Sequence, residues 1–236
     1  VSINVEWDKH HDTVLPFLER TDADIVCIQE LPEKDIPLYE KTYGGTCIAY
    51  APVCRLRRPD GLMTITEAIL TRISAQGKVA YYAGSLEAVR VDDENSDVGV
   101  HALILADLQK DGVPYTIATT HFTWSPKGEP NDNQRRDQAA LFAILDSLGE
   151  FALVGDFNAP RGKETFSKFA ERYKDNIPPK YETSIDVTLH KTRNNPVENA
   201  RVGKYMVDGL FTTPGYVAKD VRLQFGVSDH AAIIAT

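Results

Sequence analysis

Six short segments place acidic, amide or imidazole side chains where apolar runs end. In Ile3-Asn4-Val5-Glu6, Asn4 and Glu6 lie two apart, so on a strand they share a face. Val26-Cys27-Ile28-Gln29-Glu30 runs apolar and stops on Glu30, and Thr119-Thr120-His121-Phe122 ends on a histidine. Leu153-Val154-Gly155-Asp156-Phe157-Asn158 ends on two polar residues facing one way. Val207-Asp208 and Val227-Ser228-Asp229-His230 complete the series. Carboxylates and amide oxygens suit hard Mg²⁺ or Mn²⁺, and histidines outside the metal shell remain free to move protons or stabilise charge. Taken singly, each fits a plainer description: Glu30 as a solvated strand end, Asn158 as a turn residue, His121 as a satisfied core histidine. Six such sites in one chain make convergence on one centre the better account.

The elements that must position them follow from periodicity. Alternation or short apolar runs predict strands over residues 1–7, 24–28, 46–51, 67–71, 78–83, 100–108, 115–122, 151–155, 205–211, 217–225 and 231–235. Helical spacing predicts helices over 11–21, over 133–148 with Gly149 as the stop, and from Gly162 to near Tyr173. Polar loops are expected at 55–61, 92–97, 125–132 and 191–203. So many mixed strands between few helices predict an α/β fold with two sheets packed face to face and helices outside.

With 236 residues, 42% hydrophobic and 25% charged, the chain is expected to form a single domain over 1–236. No apolar run is long enough for a membrane-spanning helix. The opening Val1-Ser2-Ile3-Asn4-Val5 reads as a strand rather than a leader. Three cysteines, Cys27, Cys47 and Cys54, without paired spacing argue against a disulfide framework or a zinc site. A cytoplasmic monomer is the expectation. A net charge of −8 disfavours a broad basic face gripping long nucleic acid. A metal-loaded pocket would supply its own positive charge to a phosphate, so nucleases are not excluded.

The ordered series Asn4-x-Glu6, Gln29-Glu30, Glu67-Ala68-Ile69-Leu70-Thr71-Arg72, Thr120-His121-Phe122, Gly155-Asp156-Phe157-Asn158, Asp208-Gly209-Leu210-Phe211 and Ser228-Asp229-His230 resembles the endonuclease/exonuclease/phosphatase superfamily over nearly the whole chain. The resemblance implies a four-layered α/β sandwich and metal-dependent hydrolysis of a phosphate ester. It implies Glu30 as principal Mg²⁺ ligand, with Asn4, Glu6 and Asp229 near the metal or its waters and Mn²⁺ as a substitute. Asp156 then orients or deprotonates the attacking water, and Asn158 holds that water or a phosphate oxygen. His230, oriented by Asp208, donates to a non-bridging oxygen, and His121 stabilises phosphate charge or protonates the leaving oxygen. Many members carry Asp where this chain has Glu6, which makes that ligand less secure than Glu30. Arg135 and Gln138 match an Arg-x-x-Gln found at the start of the long helix in several branches. Arg135 is assigned to substrate binding rather than catalysis, a solvated helix start being the alternative.

Histidine at position 121, where abasic-site endonucleases usually carry tyrosine, argues against that branch. Residues typical of inositol phosphatases and the apolar hairpin of secreted sphingomyelinases are absent. The pattern is closest to the deoxyribonuclease-I-like and tyrosyl-DNA phosphodiesterase-like branches, which implies a nucleic-acid phosphodiester substrate, as in DNA repair. Trp124 could stack a base, worth about 1–3 kcal/mol, or simply close the core edge. The Arg55-Leu56-Arg57-Arg58 cluster reads as a solvated basic loop, with contact to phosphates as the alternative. A small-molecule or lipid phosphodiesterase is the alternative, and a non-catalytic binding module a weaker one, because such a relative should have lost some of these residues.

Overall fold

The computed structural model describes residues 1–59, 61–85, 91–92 and 100–236. It contains a seven-stranded and a six-stranded mixed sheet. The first has the order β12 (Arg222–Gln224), β13 (Ala232–Ile234), β1 (Ser2–Asn4), β2 (Ile25–Pro32), β4 (Gly61–Thr71), β3 (Thr46–Arg58), β6 (Val91–Asp92). The second has the order β10 (Lys174–Asp175), β11 (Asp208–Thr212), β9 (Ala152–Asp156), β8 (Val113–His121), β7 (His101–Lys110), β5 (Ala75–Ala83).

Strand alternation builds the layers. In β2, Val26 and Ile28 face an outer core formed with α1 (His11–Arg20) and α2 (Ile36–Tyr43), while Cys27 faces the other sheet. In β7, Leu103 and Leu105 face α3 (Asp132–Leu145) and α4 (Glu164–Arg172), whereas Ala102, Ile104 and Ala106 face inward. Helices, sheet, sheet and helices therefore form the four-layered sandwich. On the α3/α4 side Phe157, Phe169 and Phe211 meet edge-on or stacked with centroids 4.8–5.6 Å apart, a geometry favoured by aromatic quadrupoles.

Each sheet has a parallel pair near its middle: β1 beside β2, and β8 beside β9. The two pairs pack against each other across the interface. Asn4, Glu30, His121 and Asp156 sit at or near the carboxyl ends of these four strands.

Several expectations need correction. The first strand ends at Asn4 rather than running to residue 7, because Glu6 and Trp7 take left-handed φ of 46° and 65° and turn the chain. Asn4 and Glu6 consequently do not share a strand face. The second strand does not stop near Glu30; it continues to Pro32 through a bulge in which Gln29 and Glu30 oppose Glu67 alone. Residues 55–58 extend β3 and pair with the start of β4, so the basic cluster lies on a strand and not in a loop. The 191–203 segment holds a short 3₁₀ turn and α5 (Pro196–Val202), capped by Asn195. The long helix stops at Leu145, before Gly149, and only Arg222–Gln224 of the 217–225 segment is strand. The helix α2 was not anticipated. Of the expected 92–97 loop, residues 93–97 lie outside the described residues.

Candidate active site

The two parallel pairs bring Glu30, Asn4, His121, Asp156 and Asn158 together. Asn4 Nδ2 donates to Glu30 Oε1 at 3.1 Å and to Asp156 Oδ2 at 3.2 Å, so one carboxamide holds a carboxylate from each sheet. Its Oδ1 accepts the Glu6 backbone N–H at 3.0 Å, which fixes the amide orientation. Asn4 thus aligns the neighbouring carboxylates, and both ends of its amide are already engaged by protein.

Asp156 Oδ1 accepts the Asn158 backbone N–H at 2.8 Å. Asn158 Nδ2 donates to Phe122 O at 2.8 Å and lies 2.9 Å from His121 Nε2. Because the carbonyl can only accept, the Asn158 nitrogen faces both partners, and His121 Nε2 is the acceptor in this arrangement. That Nε2 stands 3.5 Å from Asp156 Oδ2 and 3.8 Å from Glu30 Oε1. The His121 backbone N–H donates to Glu67 Oε2 at 3.0 Å, and the His121 carbonyl meets His101 Nδ1 at 2.9 Å. Burial pushes the Glu67 carboxyl well above its usual range.

On the other flank His230 Nδ1 lies 2.8 Å from Asp208 Oδ2 and 3.8 Å from Asp156 Oδ2. Burial works against charge on this ring, yet Asp208 and Asp156 overcome it and hold the His230 pKa well above the ordinary imidazole value. Ser184 Oγ accepts the N–H groups of Val207 and Asp208, each at 3.1 Å, and so seats Asp208.

Glu6, His10 and Asp229 form the third part, with donor atoms within 4.8 Å of one another; Asp156, Asp208 and His230 form another such group. His10 Nε2 is 2.9 Å from Glu6 Oε2, and Lys9 pairs with the other Glu6 oxygen. Burial raises the Glu6 carboxyl, but the hydrogen bonds from Lys9 and His10 outweigh it, so its pKa falls below the usual value. Asp229 behaves oppositely: burial, opposed by His230 and reinforced by the charges of Glu6 and Glu30, pushes its carboxyl up to about 7.

The donors facing the cleft are oxygen-rich, which fits a hard divalent cation. Among the described residues Glu6 and Asp229, with His10, group closely enough to hold it, while the Glu30 and Asp156 carboxylates stand beside them, both tied to Asn4. Four of the seven non-glycine residues with left-handed φ among the described residues are Glu6, Trp7, Glu30 and Asn158. Such conformations cost of order 1–3 kcal/mol each and persist only where the surroundings enforce them.

Trp124 is 60% exposed, three residues beyond His121. Arg135 is taken up by Glu164 at 2.9 Å and Asp132 at 3.1 Å, which engages its guanidinium on the helix surface. Its neighbours do the positioning: Gln134 Nε2 donates to Thr123 O at 2.7 Å and Asn158 O at 3.2 Å, and Gln138 Nε2 to Thr165 O at 2.7 Å. Sequence reasoning missed His10, Ser184 and the partner role of Glu67. A Glu6-x₃-His10 spacing was the available signal for the first; nothing local marks the other two.

A buried Asp–His pair, an acidic oxygen-rich cluster and a second histidine at the joint between two sheets define a phosphoesterase-type centre on a deoxyribonuclease-I-like sandwich. The chain belongs to the endonuclease/exonuclease/phosphatase family, whose model matches residues 1–230. No curated protein matches the sequence. Among solved structures, an endonuclease/exonuclease/phosphatase family protein from Leptotrichia buccalis superposes with a TM-score of 0.68 at 15% identity, covering 100% of this chain and 97% of that one. Sphingomyelinase C from Streptomyces griseocarneus gives 0.64 at 12%, covering 99% and 97%. A mannosyl-6-phosphatase from Bacteroides thetaiotaomicron gives 0.60 at 13%, covering 96% and 90%. At these identities the likeness is one of fold.

Proposed function

We propose that this hydrolase is a divalent-metal-dependent phosphodiesterase whose leading substrate class is nucleic acid, acting by in-line attack of water. The observation that carries the reading is the shared Asn4 carboxamide, which places Glu30 and Asp156 at one cleft with His121, Asn158 and the Asp208–His230 pair around it.

A Mg²⁺ or Mn²⁺ ion held by Glu30 with Asp229 and Glu6 would neutralise phosphate charge and acidify bound water. The remaining steps belong to the chain. Asp156, fixed by Asn4 and the Asn158 N–H, orients the nucleophilic water and accepts its proton. Asn158 Oδ1 is the amide's open acceptor for that water, since Nδ2 is occupied by Phe122 O and His121. Charged His230, with Nδ1 on Asp208, turns Nε2 towards a non-bridging phosphate oxygen. His121 receives at Nε2, so it serves the leaving oxygen only after gaining a proton, and Asp156 is the nearer of its two carboxylate neighbours. Trp124, exposed three residues beyond His121, offers an open indole face on which a base could stack.

The net charge of −8 supports a second reading, in which the substrate is a small or lipid phosphate ester rather than a long polyanion. The names of the sphingomyelinase and mannosyl-6-phosphatase that share the fold are in keeping with it. A panel of single-stranded DNA, duplex DNA, 5′-phosphotyrosyl DNA, RNA, sphingomyelin and bis-p-nitrophenyl phosphate, with Mg²⁺, Mn²⁺ or EDTA, separates the two. Metal-dependent cutting of a nucleic acid is the expected result; turnover of only the lipid or the small ester would replace it with the second reading.

A further inference from the structure

Beside the acidic cluster runs a groove that shares Glu6 with it and is otherwise lined by residues to which the hydrolytic steps give no part. Its inner part, about 180 Å³, is lined by Glu6, Lys9, His10, Leu189, Lys191 and Arg193. It continues into a wider part of about 320 Å³ bordered also by Asp12, Thr13 and Thr188. Glu6 belongs both to this lining and to the group formed with His10 and Asp229, so the groove opens directly on the site. The inner part sets three fixed cations against one carboxylate, although the chain carries a net charge of −8. Lys9 is already engaged by Glu6. Lys191 and Arg193 are exposed, and neither has a carboxylate partner among the described residues; Arg193 Nη1 only reaches Leu189 O at 3.2 Å.

The arch that carries these two cations is tied down. The Asp186 N–H donates to Asp229 O at 2.8 Å, and the His190 N–H to Asp186 O at 2.9 Å. Asp186 Oδ1 accepts from the Thr188 N–H at 3.0 Å and the Thr188 hydroxyl at 2.6 Å, while Oδ2 accepts from the Gly226 N–H at 2.8 Å. The cations are therefore fixed to the segment that bears Asp229 and His230, rather than placed on an independent surface loop.

We propose that Lys191 and Arg193 bind a second phosphate of the substrate adjacent to the one that is cleaved. The inference rests on the phosphoester reading and names its substrate class: a molecule with two neighbouring phosphates. An arginine fork beside a lysine matches the several acceptor oxygens of a phosphate better than a single neutral group would.

The test measures binding of thymidine 3′,5′-bisphosphate and thymidine 5′-monophosphate to the metal-free protein by calorimetry. It also measures kcat/KM with Mn²⁺ for the 5′-p-nitrophenyl ester of thymidine 5′-phosphate with and without a 3′-phosphate. The wild-type protein should prefer the doubly phosphorylated member by about tenfold or more, and Lys191→Ala/Arg193→Ala should reduce that ratio to below about twofold. Displacement of the bisphosphate by a thymidine tetranucleotide would make the second phosphate a neighbour along a strand; its failure to displace would assign a small bisphosphorylated substrate. Either result keeps the subsite. Equal ratios in wild type and variant, or no preference in the wild type, would overturn it. No turnover of either ester with the binding ratio intact would instead sink the phosphoester reading and leave the subsite standing.

Discussion

The side chain of Asn4 reaches Asp156 at 3.2 Å, joining residues 152 positions apart and belonging to different sheets. Because the same nitrogen holds Glu30 at 3.1 Å, the spacing of the two carboxylates depends on one amide. Asn4→Ala is expected to weaken Mn²⁺ binding by about 10–100-fold, the usual cost of losing a residue that orients metal ligands. Calorimetric titration checks it, and unchanged affinity would reduce Asn4 to a filler.

His230 supplies a prediction for pH. Its pKa is raised, so the charged ring contributes stability that is present in full below the unfolded value of about 6.5 and is lost as pH rises through the higher folded value. Removing the partner carboxylate should bring the folded value down. Asp208→Asn is expected to move the basic limb of the pH–rate profile to lower pH by about one unit or more. A limb that stays in place would show that His230 is not the acid being titrated.

Metal binding should itself depend on pH. With Asp229 raised to about 7, a proton competes for that carboxylate below neutrality. Mn²⁺ affinity is expected to fall by up to about tenfold per pH unit below 7, with about one proton released per ion bound. In the metal-free protein the same raised carboxyl makes stability greatest at low pH and removes that contribution as pH climbs from the ordinary aspartate value towards 7. Comparing calorimetry in buffers of different ionisation enthalpy counts the protons, and zero release at pH 6 would be inconsistent with Asp229 as a ligand.

Gly155 lets β8 and β9 close just before His121 and Asp156. Its φ is 147°, and a Cβ there would sit 2.0 Å from Thr120 O. Gly155→Ala should therefore destabilise the protein by roughly 3 kcal/mol or more, through backbone strain and steric clash together. Urea unfolding measures it; a loss below about 1 kcal/mol would mean that the strands can separate without cost.

The layers were legible because strand alternation and the apolar stripe of α3 are local signals, as Leu103/Leu105 against Ala102/Ile104 illustrates. What escaped was non-local or conformational. The bulge at Gln29–Glu30 arises because Glu67 opposes two residues, which no pattern within residues 25–32 reveals. The left-handed turns at Glu6 and Asn158 break the period-two rule at the positions where it was applied to assign faces. Asn4, Glu30, His121, Asp156, Asn158, Asp208, Asp229 and His230 could be selected from motif order alone. Their partner Ser184 required the folded chain, since it approaches Asp208 only through the packing of the β10–α5 segment. Arg135 matched a motif but is engaged by Glu164, an acidic residue 29 positions away.

Asp156 is the carboxylate on which handling of the nucleophilic water depends in the proposed mechanism. Hydrolysis of bis-p-nitrophenyl phosphate should be measured with Mn²⁺ and with EDTA for the wild-type protein and for Asp156→Asn, whose near-identical shape preserves the fold as judged by thermal unfolding. Metal-dependent turnover in the wild type that falls by about 10³-fold or more in a folded Asp156→Asn is the predicted result. Metal-dependent turnover within about tenfold of wild type in that variant would contradict the mechanism.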